Sequence, residues 1–100
     1  MSNSTITTDR RWSSPGMILK EEFLEPLGIS NYRLAKTIGV SETAIGEIVK
    51  GRRSISVAMA FRLSKALGTT PQFWINLQTD YDVFTFDPNS IGNITPLVDF

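Results

Sequence analysis

A short run of basic residues is the part of this sequence whose chemistry is easiest to interpret. Lys50, Arg52 and Arg53 surround Gly51, directly after a segment with the apolar spacing of a helix. Ammonium and guanidinium groups clustered in this way bind phosphate oxygens. The run therefore predicts contact with a polyanion, and a solvated basic loop is the alternative interpretation.

The distribution of charge along the chain extends this prediction. The 100 residues carry 10 basic and 10 acidic side chains, so the formal net charge is zero. Residues 30–70 hold seven of the basic and two of the acidic side chains, which makes this segment positive and the remainder of the chain negative. Such an asymmetry allows one face to bind a polyanion while other faces interact differently. A chance segregation of solvated charges would give the same counts.

The absence of His and Cys excludes several classes of protein. Disulfide scaffolds, thiol nucleophiles, thiolate metal sites and Ser-His-Asp triads all require one of these residues. Glu21, Glu22 and Glu25 are conceivable catalytic carboxylates, but they lack a partner base and metal-ligand spacing, so a solvated acidic face is the better interpretation. We expect a cytoplasmic protein that is not an enzyme and has no catalytic residue, metal or cofactor.

Capping residues divide the chain into five predicted helices. A Ser or Thr precedes each segment of helical apolar spacing, and Pro often follows in the first turn. These caps are Ser14, Ser30, Ser41, Ser56 and Thr70. The predicted ends are Pro26 with Gly28, Gly39, Gly51, Gly68 and, for the fifth helix, about Asp80. The residues predicted to face inward on the first four helices are Ile18, Leu19, Phe23, Leu24, Leu34, Ala35, Ile38, Ile45, Ile48, Val49, Ala60, Leu63, Ala66 and Leu67.

The sequence pattern changes after Tyr81. Residues 83–86 alternate like a short strand, and residues 87–90 have the composition of a turn. A hairpin, a draped segment and disorder all remain open for residues 91–100. We therefore expect a flexible arm over residues 1–13, an all-α domain over 14–82, and a non-helical or weakly structured tail over 83–100.

The second and third predicted helices are separated only by Gly39, Val40 and Ser41. A turn this short that contains Gly joins two helices at a steep angle, as in a helix-turn-helix. The small side chain of Ala35 permits close approach of the two helices, and Gly39 supplies a positive φ. Val40, Ile45 and Ile48 would fix the angle from the apolar side. A plain helical bundle with a Gly loop is the alternative.

In a helix-turn-helix the second helix of the motif enters the major groove of DNA with its N-terminal end first. The residues predicted to read base edges are Glu42, Thr43, Gly46 and Glu47. The residues predicted to bind phosphates are Asn31, Arg33, Lys36, Lys50, Arg52 and Arg53. Glu42 could instead stabilise the helix dipole, and Glu47 could pair with Lys50 or Arg52.

The fifth predicted helix carries more aromatic and apolar residues than a terminal helix needs to cover a small core. Such helices are typical of interface cores, and groove-reading proteins of this size usually bind two-fold sites as dimers. We expect Phe73 to close the core and Trp74 or Ile75 to remain for a partner. The predicted dimer interface consists of Trp74, Ile75, Leu77, Gln78 and Tyr81.

Several stretches of this sequence resemble one family in particular. They are residues 15–19, 21–28, 32–36, 47–53, 62–63, 66–71, 73–74, 76–78 and 81–82, read as PGMIL, EEFLEPLG, YRLAK, EIVKGRR, RL, ALGTTP, FW, NLQ and YD. They are similar to the HigA family of toxin–antitoxin antidotes, within the XRE (Cro/cI-type) helix-turn-helix superfamily. The reading helix differs from the usual family pattern at Glu42, Ala44 and Gly46, so the resemblance does not extend to an operator sequence.

The resemblance implies a five-helix, lambda-repressor-like domain that dimerises through its C-terminal helix. It also implies a RelE-like, mRNA-cleaving toxin as partner, and repression of a shared operon at a palindromic operator in double-stranded DNA. Two alternatives remain open at this stage: a stand-alone XRE-type regulator without a toxin, and a protein-interaction module with little DNA binding.

Overall fold

The computed structural model describes residues 13–98, and the chain is all-α there, as predicted. The first helix, α1, is continuous and consists of an α-helical turn Pro15–Ile18, a π-helical segment Leu19–Leu24 and a last turn Glu25–Leu27. It is followed by α2 (Asn31–Ile38), α3 (Glu42–Val49), α4 (Val57–Leu67), α5 (Pro71–Thr85) and a 3₁₀ turn (Pro88–Ile91). Apart from Ser13, the predicted N-terminal arm lies outside the described residues.

The predicted caps position all five helices. Each capping hydroxyl accepts a hydrogen bond from the backbone N–H three residues later, at 3.0 to 3.3 Å. These bonds satisfy N–H groups that no helical carbonyl can reach, and each is typically worth about 1 kcal/mol. The helix starts are therefore determined locally, which is why the sequence predicts them well.

Of the two residues predicted to end the first helix, Gly28 does so and Pro26 does not. The helix passes through Pro26 and ends at Gly28. Proline has no N–H, and its ring collides with the carbonyl four residues earlier in regular α-helix geometry. The π-helical segment before it widens the helix, and Glu25 donates its N–H to the carbonyl of Lys20, five residues back. The wider turn accommodates the proline ring.

The fifth helix is longer than predicted. It continues to Thr85, so the predicted end near Asp80 and the strand-like interpretation of residues 83–86 are both wrong. The Thr85 hydroxyl donates to the carbonyl of Tyr81 at 2.8 Å within the last turn. A strand needs a neighbouring strand, and the described part of the chain contains none, whereas a helix already begun extends with its own hydrogen bonds.

The core lies where the helices meet and contains most of the predicted apolar residues. Side chains such as Leu19, Ile45, Ile48 and Leu63 have almost no exposed surface. Phe23, Val49 and Leu67 are only partly buried. Ala66 is exposed, so its predicted inward orientation is wrong. The buried face of α4 is therefore narrower than the spacing of its apolar residues indicated.

Trp74 is the largest fully buried side chain, with 0% of its surface exposed. Its ring contacts those of Phe23 and Phe73, with centroids 5.2 and 4.9 Å away. Its indole N–H donates to the Thr69 hydroxyl at 2.7 Å. Trp74 therefore completes the core of its own chain, and the prediction that it belongs to a dimer interface is wrong.

Candidate nucleic-acid interface

The turn between α2 and α3 has the geometry that the sequence predicts. Gly39 ends α2 with φ of +76°, and the N–H groups of Gly39 and Val40 both donate to the carbonyl of Ala35, at 2.9 and 3.0 Å. A positive φ is strained for residues with a side chain, which explains the glycine. Ala35 is buried at the point where the two helices approach. The two helices therefore form a helix-turn-helix.

Arg62 supports this motif from α4, a role that sequence reasoning missed. Its guanidinium group donates to the carbonyl of Ile38, at the C-terminal end of α2. A cation at this position satisfies a carbonyl that has no helical partner and interacts favourably with the helix dipole. The two residues lie far apart in the sequence, so no local pattern indicates the contact.

Gly16 allows the backbone of α1 to pack directly against α3, a second role that sequence reasoning missed. A Cβ atom added at Gly16 would lie 1.6 Å from the carbonyl oxygen of Ile48 and 3.1 Å from the Cα of Val49. The backbone of α1 thus contacts the backbone at the C-terminal end of α3 directly. The only signal in the sequence is a glycine within the first turn of a helix, where its low helical propensity needs a reason.

The outward face of α3 carries the residues predicted to read bases. Glu42 and Thr43 are exposed, and Gly46 and Glu47 are half-exposed. The opposite face, with Ala44, Ile45 and Ile48, is buried. The structure thus places the four residues on one accessible face, and their contact with DNA stays a prediction.

Gly46 leaves that face without a side chain at its centre. Apart from its chain neighbours and the backbone of α3 itself, no atom lies within 4 Å of the position that a Cβ on Gly46 would occupy. A glycine inside a helix costs about 1 kcal/mol relative to alanine. Packing in the free protein gives no reason for this cost, whereas close approach of another molecule would give one.

The predicted phosphate-binding residues precede and follow α3 in the sequence, and all of them are at least partly exposed. Arg33, Lys36, Lys50, Arg52 and Arg53 are exposed, and Asn31 is half-exposed. Lys36 is oriented by Tyr32 on the same helix, with Nζ 5.7 Å from the ring centroid. The other side chains of this group project from the start of α2 and from the loop after α3.

Glu47 pairs with Arg53, not with the predicted Lys50 or Arg52. The Arg53 guanidinium donates to Oε1 of Glu47 at 3.2 Å. Both side chains are about half-exposed, and a pair of this kind contributes about 0–1 kcal/mol to stability. Its main effect is to hold one guanidinium group beside the outward face of α3. The loop after α3 folds back through Arg52, whose N–H donates to the carbonyl of Glu47, and this brings Arg53 within reach.

A protein-family model described as helix-turn-helix matches residues 20–74, which include all of α2, α3 and α4. Among curated relatives, the Antitoxin HigA-1 of Vibrio cholerae serotype O1 is 40% identical over 77 residues, covering 77% of this chain and 72% of its own. The chain belongs to the HigA family of helix-turn-helix proteins.

Solved structures of proteins named as antitoxins share the fold. An antitoxin named GraA is 41% identical and superposes with a TM-score of 0.79, covering 84% of this chain and 95% of its own. A Pseudomonas aeruginosa antitoxin HigA, solved with the higBA promoter, is also 41% identical, with a TM-score of 0.76 and coverage of 84% and 96%. The HigA fold is thus present over most of this chain.

None of the helices in the described residues is long and apolar enough to cross a membrane.

Proposed function

We propose that this HigA-type protein represses transcription of its own operon by binding a palindromic operator as a dimer. We also propose that it is the antitoxin of a RelE-like, mRNA-cleaving toxin and neutralises that toxin by binding it. The mechanism is non-catalytic in both roles. The observation that carries the proposal is the accessible outward face of α3, beside the basic loop 50–53.

The geometry of α3 supports sequence-specific binding in a major groove. Thr43 can contact a thymine methyl group or donate a hydrogen bond, and a glutamate such as Glu42 can accept a hydrogen bond from cytosine N4. Gly46 allows the edges of the bases to approach the helix axis closely. Ala44, Ile45 and Ile48 fix the helix from behind, so binding requires no rearrangement of the core.

The basic residues support the electrostatic part of binding. Each phosphate that a Lys or Arg neutralises releases counterions, which gives affinity that declines with salt. Lys50, Arg52 and Arg53 follow directly after the reading helix. Arg53 contacts Glu47 at 3.2 Å in the free protein, so its guanidinium group already lies beside the reading helix.

The likeness to solved antitoxins supports the second role. GraA and the Pseudomonas aeruginosa HigA are both described as antitoxins, and the second was solved with a promoter. A repressor that also binds the toxin couples transcription of the operon to the amount of free toxin.

The DNA-binding role is tested by fluorescence anisotropy with the native upstream duplex and a scrambled duplex, at several salt concentrations. We expect the wild-type protein to bind the native duplex at least about tenfold more tightly, with affinity falling as salt rises. Loss of Arg52 and Arg53 in an R52A/R53A variant should weaken binding to both duplexes. It should also reduce the slope of log K against log salt by about two.

A matched control is Lys65→Ala, which removes an exposed cation near the C-terminal end of α4. We expect this variant to bind DNA like the wild type. Equal and weak binding of the wild type to both duplexes would contradict the repressor role. A K65A variant that weakened binding as much as R52A/R53A would show that only general positive charge matters.

A further inference from the structure

The loop that follows α3 is hydrogen-bonded to the rest of the fold at both of its ends. At its start, the N–H groups of residues 50–52 donate to carbonyls of α3, at 2.8 to 3.1 Å. At its end, the N–H of Ile55 donates to the side-chain oxygen of Gln78 on α5, at 2.8 Å. Arg53 lies between these two anchors. The second anchor therefore comes from a helix that lies outside the helix-turn-helix.

Gln78 is oriented for this contact by a second hydrogen bond. Its side-chain nitrogen donates to Oδ1 of Asp82, about one helical turn further along α5, at 2.9 Å. An ionised carboxylate only accepts hydrogen bonds, so Asp82 attracts the amide nitrogen of Gln78 and leaves the amide oxygen for Ile55. One orientation of the amide group therefore satisfies both partners.

The contact between Gln78 and Ile55 is largely shielded from water. Ile55 is 5% exposed and its side chain belongs to the core, while Gln78 is half-buried. A buried N–H that loses its acceptor is costly, because water does not readily replace the lost partner. Gln78 therefore adds a directional anchor to the apolar packing of Ile55.

A narrow crevice of about 90 Å³ lies between the basic loop and α5. Its walls include Arg52, Arg53 and Ser54 from the loop, and Gln78, Tyr81 and Asp82 from α5. Because both arginines line this crevice, a movement of the loop relative to α5 would displace both of them. The anchor at Gln78 limits such a movement.

We propose that Gln78 is a positioning residue for DNA binding. It holds the end of the basic loop against α5, so that the backbone of Arg52 and Arg53 is fixed beside α3 before DNA binds. A loop that is already fixed loses less conformational entropy when it contacts phosphates than a free one. The inference rests on the proposed repressor function, and Gln78 acts through the two arginines without touching DNA itself.

The same anchor joins α5 to the DNA-binding surface. The residues expected to form the dimer lie on α5, and the proposed repressor needs two DNA-binding surfaces at a fixed separation. A hydrogen bond from the loop to α5 fixes each basic loop relative to that helix. Gln78 therefore contributes to the spacing between the basic loops of the two protomers.

The test compares operator binding by the full-length wild type and by Gln78→Met, measured by fluorescence anisotropy. Methionine has nearly the same size as glutamine but offers only a weak acceptor to the N–H of Ile55. We expect Q78M to weaken operator binding at least about threefold. The matched control is Gln72→Met, which removes a similar hydrogen bond, from Gln72 to Asn76, near the start of α5. Q72M should bind DNA like the wild type.

Two further variants distinguish positioning from a general loss of stability. In an R52A/R53A background, adding Q78M should weaken binding very little, because Gln78 acts through these arginines. This comparison is made at a salt concentration at which R52A/R53A still binds measurably. The double variant Q78E/D82N should restore wild-type affinity. The carboxylate introduced at position 78 can accept from Ile55, the amide introduced at position 82 can donate to it, and the net charge is unchanged.

The outcomes separate the inference from the proposed function. Failure of the wild type to prefer the native duplex would contradict the repressor function itself. With that preference established, equal affinity of Q78M and the wild type would overturn the inference alone. So would losses from Q78M and R52A/R53A that multiply in the combined variant, or a Q78E/D82N protein that binds no better than Q78M.

Amide hydrogen exchange in the wild type tests the anchor even if Q78M does not fold. We expect the N–H of Ile55 to exchange more slowly than that of Ser54, because only the first is held by Gln78 within the described residues. Equal exchange rates at the two positions would show that Gln78 does not hold the end of the loop, and the inference would be wrong.

Discussion

Gly46 lies in the middle of α3, and no contact in the free protein accounts for its missing side chain. A Gly46→Ala substitution should raise the free energy of unfolding by roughly 0.5–1 kcal/mol, because alanine is the better helix former. The same methyl group should weaken operator binding at least about tenfold if bases approach α3 at this point. Urea unfolding and anisotropy titration measure the two effects separately.

The control for Gly46→Ala is Thr79→Ala, which also improves helix propensity at an exposed position, but on α5. We expect T79A to leave operator affinity unchanged. A G46A protein that binds its operator as tightly as the wild type would show that DNA does not approach this face closely.

At the scale of the elements, the contact between α1 and α3 positions the reading helix. The backbone of Gly16 packs on the carbonyl of Ile48 with no room for a side chain. A Gly16→Ala substitution forces the two helices apart, and we expect a loss of about 3 kcal/mol or more in the free energy of unfolding. Thermal or urea unfolding gives the value.

Met17→Ala is the matched comparison for this contact, since Met17 lies beside Gly16 on α1 and is 41% exposed. We expect M17A to cost less than about 1 kcal/mol. If G16A were no less stable than M17A, α1 would not be held against α3 in the way described.

At the scale of the whole molecule, the proposed repressor needs two reading helices. Of the predicted interface, Trp74 is buried in its own chain, and the Gln78 side chain accepts a hydrogen bond from the N–H of Ile55 at 2.8 Å. Ile75, Leu77 and Tyr81 are partly buried. Their role in a dimer stays a prediction, with Ile75 and Leu77 already packed in part against the core.

The spacing of the operator half-sites tests the dimer. Two reading helices in a two-fold dimer contact major grooves about one helical turn, roughly 34 Å, apart. Inserting about five base pairs between the half-sites places them on opposite sides of the duplex. We expect affinity to fall to that of a single half-site, as measured by anisotropy.

An insertion of about ten base pairs returns the two half-sites to the same side of the duplex and serves as the control for DNA length. A dimer able to span the longer distance would bind this duplex better than the one with five extra base pairs. Identical affinity for all three duplexes would indicate that each chain binds its half-site independently.

The sequence by itself determined where each helix begins and which segment is basic. Ser41, for example, caps α3 through a hydrogen bond to Ala44, three residues away, and such bonds need only neighbouring atoms. The helix-turn-helix followed from the short turn at Gly39. The accessible face of α3 followed from the period of its apolar residues.

Only the tertiary structure decided which surfaces remain free and what holds the reading helix. The sequence predicted that Trp74 would be available to a partner, but in the folded chain its ring packs against Phe23 and Phe73. The contacts of Gly16 with Ile48 and of Arg62 with Ile38 join residues distant in the chain. Glu47 forms its ion pair with Arg53 because the loop after α3 turns back toward α3. Such contacts depend on how helices pack in three dimensions. Helix capping and apolar periodicity, in contrast, depend only on residues that are close together in the sequence.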